Sequence, residues 1–248
     1  MNSKYFKLLE TEINGLIKGL LPTDAQMNDP AYDDSNWQQQ IKSFILLSHA
    51  AFEHYFEELA FSKCDEALNE YLNSGTITNI LLSLILTYKI NWYTEENAID
   101  PPKGYQKIRS MFKKKYIGKD SSKNLCLATE KSIKDTLGEI KKLYLSEVID
   151  KNLGCKKNNV SNLFLPLFSD ASIIKLNDTL FNNINSFGTV RGNYAHKCSV
   201  FFASIPVGYM PTATVESAKV WREKIKLFIE NPGVFCLKDF DELIVSLK

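Results

Sequence analysis

From Trp37 to Leu68 the chain runs without a proline or a glycine, and its apolar residues hold one face at helical spacing: Trp37, Ile41, Phe44, Ile45, Phe52, Tyr55, Phe56, Leu59, Cys64 and Leu68, with Ser48, Ala60 and Ala67 among them. An amphipathic helix of that length presents a long apolar face, which other elements must cover. The rest of the sequence supplies mostly helices. Phe6, Leu8, Leu9, Ile13, Leu16, Ile17 and Leu20 predict a helix over Lys4 to Leu20, closed by Pro22 and Asp24. Residues 22 to 35 read as a loop in which Ser35 is placed to cap the long helix. A third helical pattern covers Thr76 to Trp92, and Pro101 and Pro102 lie beyond its end. A shorter helix is expected from Tyr105 to Tyr116, and further amphipathic helices at 130–150 and 171–187. Residues 199–212, punctuated by Pro206, Gly208 and Pro211, suit an extended loop or short strand. Thr214 to Glu216 should open a last major helix that ends at Asn231-Pro232-Gly233, with a short one after it at 238–247. The expected architecture is an all-α helical bundle with an inserted helical or irregular arm at about 97–165, the whole of 1–248 forming one domain.

Composition narrows the setting. Thirty Lys and Arg against 29 Asp and Glu leave almost no net field, so any attraction for phosphate must be local. Five scattered cysteines, Cys64, Cys126, Cys155, Cys198 and Cys236, offer neither a disulfide framework nor zinc-ligand spacing and read as reduced thiols. The amino-terminal residues turn acidic at Glu10 and Glu12 before a secretory signal could accumulate. The apolar run Ile80 to Ile90 is interrupted by Ser83, Thr87 and Lys89 and is about half the length of a membrane span. The expectation is a cytoplasmic protein with no membrane partner. No cofactor and no metal are expected either.

Only one short stretch carries recognisable chemistry, Thr189-Val190-Arg191-Gly192-Asn193-Tyr194-Ala195-His196-Lys197. An arginine, a small residue, an asparagine and then Ala-His resembles the Arg-x4-His motif of the HEPN superfamily, nearest the RiboL-PSP-HEPN type. A second point of likeness is Leu46 to Glu57, which resembles the early apolar helix of that superfamily with its inward acid, here Glu53. The likeness covers two blocks, about 36–72 and 171–230, and leaves the middle of the chain unmatched. Gly192 departs from the commonest form of the motif. Because glycine costs about 1 kcal/mol in a helix interior, either the helix begins there or its backbone passes something closely.

Many HEPN domains are ribonucleases, and the resemblance implies a metal-independent endoribonuclease. A histidine near its ordinary pKa of about 6.5 can take the proton of a ribose 2′-hydroxyl or give one to the leaving 5′-oxygen. In that scheme His196 is the general acid or base and Asn193 orients the scissile group. Arg191 clamps the phosphate, its guanidinium offering two parallel donors. The implied products are a 2′,3′-cyclic phosphate and a 5′-hydroxyl. On one helix Arg191 and His196 stand about 140° and about 7.5 Å apart. They flank a groove rather than touch, and the resemblance implies a homodimer in which two motifs meet. It further implies RNA as substrate, a role as a bacterial defence or toxin-type effector, and an inhibitory or activating partner protein.

Supporting roles fall to Glu53, expected as a buried acid bonded to Arg191 or to a backbone donor, and to Tyr194 as a groove or interface aromatic. Between Lys103 and Lys123 eight Lys or Arg face the single acid Asp120, with aromatics interleaved. Within that strip Lys107, Arg109, Lys113, Lys114 and Lys115 are candidate RNA contacts, although a charge run most often only solvates a helix. His49 and His54 with Glu53 and Glu57 have spacing that could hold a metal, but three histidines in the whole chain argue against it. Two rivals stand beside the nuclease. One is a non-catalytic dimerisation or partner-binding module, in which the motif only organises a helix; the other is a nucleotide-binding accessory subunit.

Overall fold

A computed structural model describes residues 2–96, 135, 137–168, 178–199 and 217–247. The fold is all-α: among these residues the regular structure is helical and there is no strand. The order is α1 (Lys4–Leu20), α2 (Asp24–Met27), a 3-10 turn (Asp34–Trp37), α3 (Gln38–Ser74), α4 (Asn79–Glu96), α5 (137–144), α6 (Lys157–Phe164), α7 (Asp178–Ser199), α8 (Ala218–Ile229) and α9 (Leu237–Ser246). The helix expected at 105–116 lies outside the described residues, as do residues 200–212 of the expected loop or strand and most of the expected insertion before 137.

Local chemistry sets the helix ends, and not always where the sequence pattern places them. Ser3 caps α1, its hydroxyl accepting from Phe6 N–H at 3.0 Å. The expected loop contains α2, opened by a capping box in which Thr23 and Gln26 exchange hydrogen bonds. Asp33, not Ser35, caps the 3-10 turn, because its carboxylate accepts the Ser35 N–H at 2.8 Å. Ser217 caps α8 and accepts from Val220 N–H, so that helix starts later than the sequence pattern suggests. A π-turn at Leu145–Ile149 comes after α5, with Asp150 N–H reaching back five residues to the Leu145 carbonyl.

The chain divides into two compact units. The first gathers Met1–Leu59, Leu153–Ser161 and Ala171–Leu247. Its core is aromatic: Phe56 and Phe181 both meet Phe240 edge to face, at 5.6 and 6.0 Å between ring centres, and Phe6 meets Tyr55 at 6.3 Å. One buried carboxylate is tied into this core. Asp241 on α9, fully buried, accepts from the Ser3 amide and hydroxyl at 2.6 Å each and from the Tyr55 hydroxyl at 3.1 Å. Three donors from α3 and the start of the chain thereby compensate the cost of dehydrating it. In the same unit, Asp34 accepts from the Tyr32 hydroxyl at 2.6 Å and from the Ala218 amide at 3.3 Å, which fixes the entry to α8.

The second unit comprises Ala60–Asn152, Asn162–Asp170 and Lys248. It buries Cys64, Leu68, Ile80, Leu84, Ile140, Phe164 and Leu167. Tyr144, fully buried, donates its hydroxyl to the Leu163 carbonyl at 2.8 Å, and Lys141 pairs with Asp65 while lying over the Phe61 ring. No helix among the described residues is long and apolar enough to cross a membrane.

Candidate functional site

The motif lies on α7, whose sequence is poor in strong helix formers and rich in Asn, Ser, Thr and Gly. Two of the hydroxyls are absorbed within the helix: Ser186 donates to the Asn182 carbonyl and Thr189 to the Asn185 carbonyl, at 3.0 and 2.9 Å. Tertiary packing supplies the rest of the order. Ile184, Phe187, Gly188 and Arg191 recur at helical spacing along one stripe, with Ile184 and Phe187 almost fully buried. Phe187 is the hub, its ring centre 5.6 Å from Phe52, 5.9 Å from His49, and 5.8 Å from both Trp221 and Phe228.

Gly192, from the sequence either a helix start or a close approach, is neither. Helix α7 runs through it, and no described atom lies within 4 Å of where its Cβ would be. The close approach is one turn earlier. A Cβ on Gly188 would sit 2.9 Å from Lys156 Cγ, 3.0 Å from Lys156 Cε and 3.6 Å from His49 Nε2. Across from it Gly154, whose φ of +152° suits glycine, brings its backbone against the same imidazole, a Cβ there falling 3.5 Å from His49 Cε1.

His49 is therefore enclosed by Phe187, Gly154 and Gly188, with only 4% of its surface exposed. Burial, then the charges of Arg191 and Lys156, hold its pKa down to about 4, so it is neutral at pH 7. One helical turn on, Glu53 is half-buried, its Oε2 3.9 Å from His49 Nδ1. Burial and the neighbouring charge of Glu57 raise the Glu53 pKa, while Arg191 opposes the shift. Arg191 thus acts on Glu53 through space, and among the described residues no hydrogen bond or ion pair joins the two. His54 faces outward, on the exposed side of α3. Beneath the cluster Cys155 is fully buried, its thiol pushed up to about 12 chiefly by that burial. It is an inert packing group rather than a nucleophile.

Neutral His49 carries a pH dependence. Its folded pKa lies below the 6.5 of the free side chain, so the unfolded chain takes up a proton that the native one refuses. The associated stability is complete above about pH 6.5 and is lost as the pH falls toward 4. The loss approaches roughly 3 kcal/mol. Urea unfolding midpoints measured stepwise over that interval should fall more steeply for wild type than for His49→Gln; parallel curves would contradict this assignment.

The helix phase divides the motif. Arg191 is half-buried on the stripe facing His49 and Glu53, whereas Asn193, about 200° further round, is exposed. His196 lies three positions beyond Asn193 on the same helix, about 60° away in phase. The side chains of Tyr194 and His196 fall outside the described part of the structure, and Lys107, Arg109, Lys113, Lys114 and Lys115 lie outside the described residues. Lys156, Gly154, Cys155 and Gly188 carry no sequence signal of a site, and from the sequence His49 is only half of a metal-like pair. Among the described residues no three His, Cys, Asp or Glu side chains gather as metal ligands would.

No curated protein and no solved structure matches the chain. The family model of RiboL-PSP-HEPN matches residues 9–231, a continuous stretch that includes the middle of the chain as well as the motif-bearing helix. With an all-α fold, an acid-bearing early helix and Arg191 to His196 on one later helix, the chain belongs to the RiboL-PSP-HEPN family, a membership that points to nuclease-like or RNA-related work.

Proposed function

We propose that this protein is a metal-independent endoribonuclease, acting as a homodimer on RNA, with Arg191 as phosphate clamp, His196 as general acid or base and Asn193 orienting the scissile group. The observation that carries the reading is the placement of Arg191. Half-buried on the stripe facing them, its charge acts on a neutral, buried His49 and on a carboxyl whose charge burial disfavours, and the same helix bears Asn193 and His196. A guanidinium with no ion-pair partner among the described residues is free to take a phosphate in bidentate fashion. The split in helix phase favours two copies acting together, since Arg191 and exposed Asn193 lie about 200° apart around α7. The basic strip from Lys107 to Lys115 extends the reading as a contact for the strand beyond the scissile bond. A role as a defence or toxin-type effector, restrained by a partner protein, is inferred from family membership and from the hazard of a free ribonuclease to its own cell.

The test is cleavage of mixed RNA by the purified full chain in excess EDTA. Wild type should cut, and Arg191→Ala should be slower by about a hundredfold or more, the scale of losing one charged transition-state contact. Equal silence of both proteins, with any activating partner also supplied, would transfer the assignment to a non-catalytic interaction module.

A further inference from the structure

Lys156 stands just before α6, far from the motif in sequence, yet the fold holds it across α7. Two features of the packing do this. The amide of the next residue, Lys157, donates to the Asn185 side-chain oxygen at 2.8 Å, pinning the start of α6 to α7. One turn further along α7, Gly188 leaves out the Cβ that would otherwise meet the Lys156 stem at 2.9 and 3.0 Å. The aliphatic part of Lys156 is thus laid over the glycine while the residue as a whole remains exposed. Arg191 is the next residue on that same stripe of α7 after Gly188, and the charges of Lys156 and Arg191 reach the same two buried groups, His49 and Cys155. No carboxylate among the described residues forms an ion pair with either cation. Two unpaired cations that act on the same two buried groups, with a backbone gap provided for one of them, favour an anion beside them.

We propose that Lys156 is a second phosphate-binding residue of this site, holding the RNA backbone beside the phosphate that Arg191 contacts. It rests on the ribonuclease reading and adds a substrate contact to it. Gly188 is then a positioning residue whose missing side chain admits the lysine. A phosphodiester strand and a free mononucleotide present the same phosphate chemistry; the strand is favoured because Lys156 is open to solvent at the side of the site rather than enclosed.

The experiment measures binding of a fluorescent single-stranded RNA to the full chain in a His196→Ala background, over a series of salt concentrations, with a 5′-mononucleotide as competitor. Lys156→Ala should weaken RNA binding by about tenfold at low salt and reduce the salt slope by roughly 0.7, the release expected for one phosphate contact to a single strand. Lys156→Arg should keep the slope, and Gly188→Ala, which displaces the lysine, should lose it in part. An unchanged affinity and slope for Lys156→Ala, in a protein whose wild type cuts RNA, would overturn this proposal and leave the ribonuclease reading intact. Mononucleotide binding that depends on Lys156 while RNA binding does not would overturn it in favour of a nucleotide pocket. Wild type that neither binds nor cuts RNA would remove both.

Discussion

His196→Ala should lose between 10² and 10⁴ of the RNA-cleaving rate while keeping the wild-type unfolding midpoint. That range is what a positioned general acid or base contributes when its pKa lies near the working pH. The pH profile separates this from a structural effect. Wild type should show a pH limb near neutrality that the residual activity of His196→Ala lacks. His49 cannot supply that limb, since burial and the two nearby cations hold its pKa at about 4. On that proposal the two histidines would have different work, His49 being enclosed and neutral while His196 serves the reaction. A His196→Ala protein that cleaves within about threefold of wild type would remove His196 from the chemistry.

Asp241→Ala should lower stability by roughly 3 kcal/mol or more, a drop in melting temperature of about 6–12 °C for a chain of this size. The carboxylate is fully buried and accepts from the Ser3 amide, the Ser3 hydroxyl and the Tyr55 hydroxyl. Alanine leaves all three donors facing a cavity. Asp241→Asn, which keeps the shape but not the charge, should lose about half as much, and Tyr55→Phe about 1 kcal/mol. Thermal and urea unfolding of the three variants checks the order. If Asp241→Ala melted within about 2 °C of wild type, the carboxylate would be no tie between the start of the chain, α3 and α9.

Much of this fold is legible in the sequence because it rests on local signals. The α1 and α3 stripes of bulky apolar residues return as buried faces, from Phe6, Leu9 and Ile13 to Phe44, Phe52 and Phe56. The Asn231-Pro232-Gly233 stop beyond α8 is local too. Helix starts are less legible. Asp33 and Asp34 precede Ser35 in a run where any of the three side chains could cap, and the choice depends on Asp34 being engaged with Tyr32 and Ala218. Family membership is readable from Arg191 to His196 and the Glu53 helix, although the match also spans the middle of the chain, where no motif stands out.

The remainder of the site depends on contacts between residues far apart in sequence. Lys156 gains its place only from Gly188 and Asn185, about thirty positions on, and its own segment has no periodicity to flag it. Two polar residues do leave a signal in the sequence. His49 is in phase with Ile45, Phe52 and Phe56 on α3, and Asp241 is in phase with Leu237 and Ile244 on α9. A polar side chain on an apolar stripe must find partners inside the protein. Helix phase picks out both residues and separates His49 from outward-facing His54.

End-group analysis of RNA cut in excess EDTA, beside a DNA strand of the same sequence, reaches the central claim most directly. Attack by the neighbouring 2′-hydroxyl requires fragments ending in a 2′,3′-cyclic phosphate and beginning with a 5′-hydroxyl, with the DNA left whole. Fragments carrying a 5′-phosphate, equal cutting of DNA, or cleavage abolished by EDTA and restored by a divalent cation would contradict it.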